Sequence, residues 1–147
     1  MPIRYCISSE LNIILYIGEE LMTGSEYFNT AGLAYLDERR KWGMTTIVDI
    51  LSVETDFDLE DMHHAINFSK NLPQKGLEPE QVVLLTNSKG ISLISNAIKM
   101  MSNKIAIKLD VVNTLDDLIS LLGFSERKQE FVQFYNECKF RKQEAIR

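Results

Sequence analysis

Residues 45–72 read TTIVDILSVETDFDLEDMHHAINFSKNL, and this stretch decides the fold. Thr46, Ile47, Val48, Ile50 and Leu51 make a nearly unbroken apolar, β-branched run. A half-exposed strand alternates polar and apolar side chains, whereas a run with so few polar residues is the pattern of a strand covered on both faces. The acidic loop Glu54-Thr55-Asp56-Phe57-Asp58 follows, and then a helical pattern with Leu59, Met62, Ala65, Ile66 and Ser69 on one face. Asp58 stands at the N-cap, and Asp61 three residues on completes a capping-box-like pair. Pro73 stops this helix.

Toward the N-terminus, Pro2 to Ile7 is rich in strand formers, Ser8-Ser9-Glu10 is a polar turn, and Asn12 to Gly18 is a second strand. Two strands so close in sequence pair as an antiparallel hairpin. Glu19 to Gly24 reads as a connection, followed by a helix from about Ser25 to Lys41 with Phe28, Ala31, Gly32, Tyr35 and Leu36 as one apolar stripe. Its end, Asp37-Glu38-Arg39-Arg40-Lys41, sets the cations in the last turn, where the helix dipole favours them.

Toward the C-terminus, Pro73 to Glu80 is turn-rich, and Gln81 to Thr86 is another buried strand. Asn87 or Ser88 caps a helix with Ile91, Ile94, Ile98 and Met101 in register, and Lys104 to Val112 is the last strand. Thr114 to Asp117 starts a short helix carrying Leu115, Leu118, Ile119 and Leu122, with Gly123 at the C′ position. Ser125 is expected to cap a final helix to about Lys142, with Phe131, Phe134, Tyr135 and Cys138 on one face.

The order is therefore β-β-α-β-α-β-α-β-α with one more helix. Strands that alternate with helices become parallel neighbours joined by right-handed crossovers. The expected fold is α/β: a mixed, mainly parallel five-stranded sheet with one antiparallel edge strand, helices packed on it and an extra C-terminal helix. No repeat, low-complexity tract or linker interrupts the 147 residues, so residues 1–147 read as a single domain, with its core at about 3–123 and the added helix at about 125–142.

Hydrophobic residues make up 45% of the chain and charged residues 25%, the balance of a soluble globular domain. The net charge of −5 supplies no global basic field to recruit nucleic acid or anionic lipid. No apolar stretch has the length of a membrane span, and the N-terminus lacks a signal-peptide pattern, so no stable membrane insertion is expected. Cys6 and Cys138 lie at opposite ends of the chain and read as two reduced, packed thiols of a cytoplasmic protein.

The element order, together with IVDILSVETDFDLEDM after the first long helix, resembles the STAS superfamily, which includes the anti-sigma-factor antagonists. The nearer likeness is to bacterial SpoIIAA-like proteins, whose architecture is shared with CRAL-TRIO lipid carriers. The resemblance covers about residues 3 to 123 and leaves the last helix outside. It implies a non-enzymatic regulatory module that works through contact with a protein partner. The CRAL-TRIO likeness implies an alternative, a small carrier of apolar molecules, with a large apolar pocket between sheet and helices. The family pattern also implies a phosphorylatable Ser, preceded by Asp, where the loop meets the helix. This chain has Asp58 in place of that Ser and Phe57 in place of that Asp. Asp58 cannot accept phosphate by serine-kinase chemistry; it imitates a phosphorylated state or serves as a cap. Ser52 and Thr55 are the hydroxyls nearby, and both also suit a turn.

Thr86-Asn87-Ser88-Lys89-Gly90 is the helix start with anion-friendly chemistry, at the carboxyl end of a parallel strand, though it lacks the phosphate-loop and dinucleotide patterns. An enzyme using that loop is the weakest alternative. His63 and His64 are adjacent, so on a helix they diverge by about 100° and cannot share one ion. The acids around Asp58 match no calcium loop, and no catalytic, cofactor or metal constellation is expected. The last helix has an apolar face at Phe131, Phe134, Tyr135 and Cys138. That face either covers its own sheet or is the interface of a homodimer.

Overall fold

The computed structural model describes residues 3–18, 20–22, 26, 29–30, 33–34, 36–41, 43–51, 53–55, 80–87 and 107–140. The strands are β1 (Ile3–Ser8), β2 (Ile13–Gly18), β3 (Glu20–Met22), β4 (Thr45–Asp49), β5 (Val53–Thr55), β6 (Glu80–Leu85) and β7 (Ile107–Val112). The helices at the end of the chain are α1 (Leu115–Leu121) and α2 (Lys128–Phe140), joined through a 3-10 turn at Ser125–Arg127.

Five strands form one mixed sheet in the order β1-β2-β4-β6-β7. β1 and β2 pair antiparallel with Tyr5 opposite Tyr16. The remaining pairs are parallel, with Leu15 beside Ile47, Ile47 beside Val83, and Val83 beside Asp110. β4 is the middle strand, and its apolar run is sealed as its composition demands: Ile47, Val48 and Ile50 are all buried. Alternation along each strand divides the sheet into two faces. One carries Ile3, Ile14, Tyr16, Val48, Leu84 and Leu109 and packs with Ala34. The other carries Cys6, Leu15, Ile17, Ile47, Val83 and Leu85 and meets Leu118 and Ile119 of α1 with Phe131, Tyr135 and Cys138 of α2.

The turn between β1 and β2 is built from its own polar groups. Ser8 Oγ accepts the Leu11 N–H at 3.1 Å. Asn12, expected as the first residue of β2, instead takes the left-handed conformation at φ 58°, which Asn tolerates better than most residues. Its carbonyl accepts the Thr45 N–H at 3.1 Å and so sets the entry to β4.

The caps of α1 follow from sequence. Thr114 Oγ1 accepts the Asp117 N–H at 3.1 Å. At the other end Gly123 has φ 74°, Gly123 N–H donates to Ser120 O, and Phe124 N–H donates to Ile119 O, which is the Schellman arrangement. Ser125 is not a cap: the 3-10 turn begins after Phe124, and no side chain caps it.

Three further expectations need correction. Backbone at 26, 29–30 and 33–34 is helical, but 36–41 is not. Asp37 draws the chain out of the helix, because its Oδ1 accepts the Arg39 N–H at 2.9 Å and so offers the backbone a competing turn. Arg39, Arg40 and Lys41 therefore do not occupy a helix end. Thr30 and Ala34 are the buried positions there, while Leu36, expected in the apolar stripe, is 83% exposed; Phe28, Ala31, Gly32 and Tyr35 lie outside the described residues. The second correction is a parallel two-stranded sheet of β3 and β5, pairing Leu21 with Glu54 where only connections were expected. Third, Cys6 and Cys138 are not two reduced thiols: they form a disulfide with Cα atoms 5.9 Å apart. The i, i+4, i+7 spacing of Phe131, Tyr135 and Cys138 puts the three on the buried face of α2, and that face brings Cys138 over β1.

Candidate functional site

The carboxyl ends of parallel strands are where open α/β sheets present ligands, most often where the strand order reverses. Among the described strands the order does not reverse, so there is no switch-point crevice of that kind. The chemistry at this edge centres on Asp49, the last residue of β4, which lies beside Ile17 on one side and Leu85 on the other.

Asp49 is 3% exposed, and a buried carboxylate is tolerated only where it is hydrogen-bonded. Its Oδ1 accepts the Leu51 N–H at 2.9 Å, which closes the turn leaving β4. Its Oδ2 accepts a hydrogen bond from the phenol of Tyr135, itself 6% exposed. Burial pushes the Tyr135 hydroxyl well above its ordinary value, and the hydrogen bond to Asp49 and the carboxylate charge push it further. Tyr135 therefore remains a donor across the neutral range. Both carboxylate oxygens are engaged and the phenol proton is held, so this pair suits fastening α2 to the middle strand better than proton transfer to a solvent-borne substrate. Sequence reasoning missed the pair. The signal was an acid inside an apolar strand, TTIVDIL, but its partner stands 86 residues away.

A second cluster joins β1 to the turn at 37–39. Tyr5 donates to Asp37 Oδ2 at 2.8 Å, and Arg39 donates through Nε to Oδ1 at 3.0 Å and through Nη2 to Oδ2 at 2.7 Å. The Arg39 guanidinium holds the Asp37 carboxyl well below the usual carboxylate range, against the opposing effect of burial. Burial raises Tyr5, and its bond to Asp37 raises it further. With four donors on one carboxylate, counting the Arg39 N–H, this too is a clasp.

Of the residues singled out from sequence, Thr55 falls in β5, Thr86 follows β6 and is 1% exposed, and Asn87 is exposed. The Thr86 N–H donates to Val112 O at 3.0 Å, extending the β6–β7 ladder. Thr86 thus belongs to the packed end of the sheet. Ser52, Asp58, His63, His64, Ser88, Lys89 and Gly90 lie outside the described residues. Phe131, Tyr135 and Cys138, candidates for an intersubunit surface, are buried against their own sheet, and Phe134 is partly buried beside them. The last helix therefore covers the sheet of its own chain. Among the described residues no group of three or more His, Cys, Asp or Glu side chains can hold a metal ion, and no helix is long and apolar enough to cross a membrane. Comparison of the chain with protein-family models, curated proteins and solved structures returned no match.

Proposed function

We propose that the chain is a non-enzymatic interaction module of the SpoIIAA/STAS type, acting in bacterial regulation through contact with a protein partner. The observation that carries this reading is the strand order β1-β2-β4-β6-β7, an antiparallel edge strand followed by parallel strands added in one direction. The polar groups described at the carboxyl edge fit it, since Asp49, Tyr135 and Thr86 are spent inside the fold. In this reading the partner surface is the acidic junction at 54–58, with Asp58 standing where related modules carry a phosphate acceptor.

The disulfide removes the reduced-thiol argument for a cytoplasmic setting, because such bonds persist mainly in oxidising compartments. The carrier alternative draws no support from the face that carries Ile47 and Val83, which packs against α1 and α2. The test is site-specific photo-cross-linking at position 57 in the source cell, with native mass spectrometry of the purified protein. The expected result is one trapped protein partner, lost on Asp58→Lys, and a bare polypeptide mass. A co-purifying apolar molecule in stoichiometric amount, or a turnover abolished by Lys89→Ala, would overturn the proposal.

A further inference from the structure

We infer that the outer edge of β7 is a self-recognition surface that joins two copies of this chain through an antiparallel β7–β7 pair. Among the described residues β7 has a strand neighbour on one side only, β6. The Val112 carbonyl accepts the Thr86 N–H across that side. Backbone groups alternate in direction along a strand, so Val112, Asp110 and Lys108 face β6, while Ile107, Leu109 and Val111 turn their N–H and C=O groups outward. An edge of this kind is a template for another strand.

Charge then selects the occupant and the register. In a two-fold pair centred on Leu109, that residue exchanges both hydrogen bonds with its own copy, Ile107 falls opposite Val111, and Lys108 falls opposite Asp110 of the second copy. The Lys108–Asp110 positions are non-hydrogen-bonded pairs, the kind that holds side chains closest. Symmetry makes the attraction twice. Shifting the centre to 108 sets two lysines face to face, and shifting it to 110 sets two acids face to face, so one register is favoured and its neighbours are penalised. Lys108 is exposed and Asp110 half-buried. Asp110 also keeps an interaction in its own chain, and a carboxylate, with about four acceptor sites, has room for both. The opposite edge, β1, carries a single charge, Arg4, and no two-fold register can set an opposite charge across from it. A lone Lys on an edge strand guards against pairing; a Lys two positions from an Asp specifies a pairing.

The experiment is sedimentation equilibrium of the full chain over a range of concentrations, for the wild type, Lys108→Asp, Asp110→Lys and the double charge exchange. It is accompanied by amide hydrogen exchange at low and high concentration. The wild type is expected to dimerise. Each single change turns two attractions into repulsions and should weaken the dimer by roughly tenfold or more, and the double exchange should restore it. The amides of Leu109 and Val111 should gain protection with concentration, while those of Asp110 and Val112 should not change. A wild type that stays monomeric throughout overturns the inference, as does a dimer indifferent to both single changes. Should the variants fail to fold, exchange at Leu109 and Val111 of the wild type that does not depend on concentration overturns it equally.

Discussion

Replacing Tyr135 with Phe removes one hydroxyl and leaves the ring, so it isolates the bond to Asp49. The wild-type phenol donates to a carboxylate 3% exposed, and Leu51 N–H serves the other oxygen. A hydrogen bond to a charged group contributes about 1.5–3 kcal/mol. Stripping one partner from a buried charge costs up to about 3–5 kcal/mol. Because the Leu51 bond remains, Tyr135→Phe should cost about 2–4 kcal/mol, read in urea as a midpoint lowered by roughly 1–2 M with an unchanged slope. The pH dependence gives a second, independent reading. Tyr135 is raised in the folded protein, so above the unfolded phenol value of about 10 the native state holds one more proton than the unfolded state. Stability contributed by this group is complete below about pH 10 and falls, by about 1.4 kcal/mol per pH unit, as pH rises toward the folded value. The difference in stability between wild type and Tyr135→Phe should shrink over that window. In a double-mutant cycle with Asp49→Ala, the second change should cost far less once the first is made. A Tyr135→Phe protein within about 0.5 kcal/mol of wild type, or additive single changes, would refute the reasoning.

Three further outcomes follow from other contacts. The Cys6–Cys138 bond spans a sequence separation of 132, for which chain-entropy reasoning gives at most about 5 kcal/mol, so Cys6→Ala/Cys138→Ala should lower the urea midpoint of the oxidised protein; equal midpoints would contradict the link. Asn12 has φ 58°, so Asn12→Gly should be nearly neutral in thermal unfolding while Asn12→Val costs about 1–2 kcal/mol; equal effects would show that backbone conformation is not what selects Asn. Asp37 is depressed in the folded state, so its contribution is present above the unfolded carboxylate range and is lost as pH falls below about 4. Arg39 is 45% exposed and screened, so Asp37→Asn should cost on the order of 1 kcal/mol at neutral pH and almost nothing in acid; a cost that persists in acid would assign the effect to packing.

The parts of the fold that were legible are those in which composition and position agree. Ile47, Val48 and Ile50, Val83 to Leu85, and Ile13 to Ile17 are apolar because both faces of their strands are covered, and no other element buries so short a run so completely. Gly123 was legible because a helix end needs a positive φ there. Long-range pairings were not. Tyr135 and Cys138 show helical periodicity, which places them on an inner face but does not say whether that face meets Asp49, Cys6 or another subunit. β3 and β5 are three residues each, ELM and VET, too short for a periodic signal. The helix that leaves its course before Leu36 was misread because cations near Lys41 look like a helix end, while the competing hydrogen bond from Arg39 to Asp37 has no period at all.

The position of β4 at the middle of the sheet is tested most directly by native-state hydrogen exchange. The amides of Ile47, Val48 and Asp49 are expected to exchange only through global unfolding, with opening free energies equal to the denaturant-measured stability. Exchange of these amides ahead of those in β1 or β7 would place β4 at a margin and contradict the architecture on which the proposed function rests.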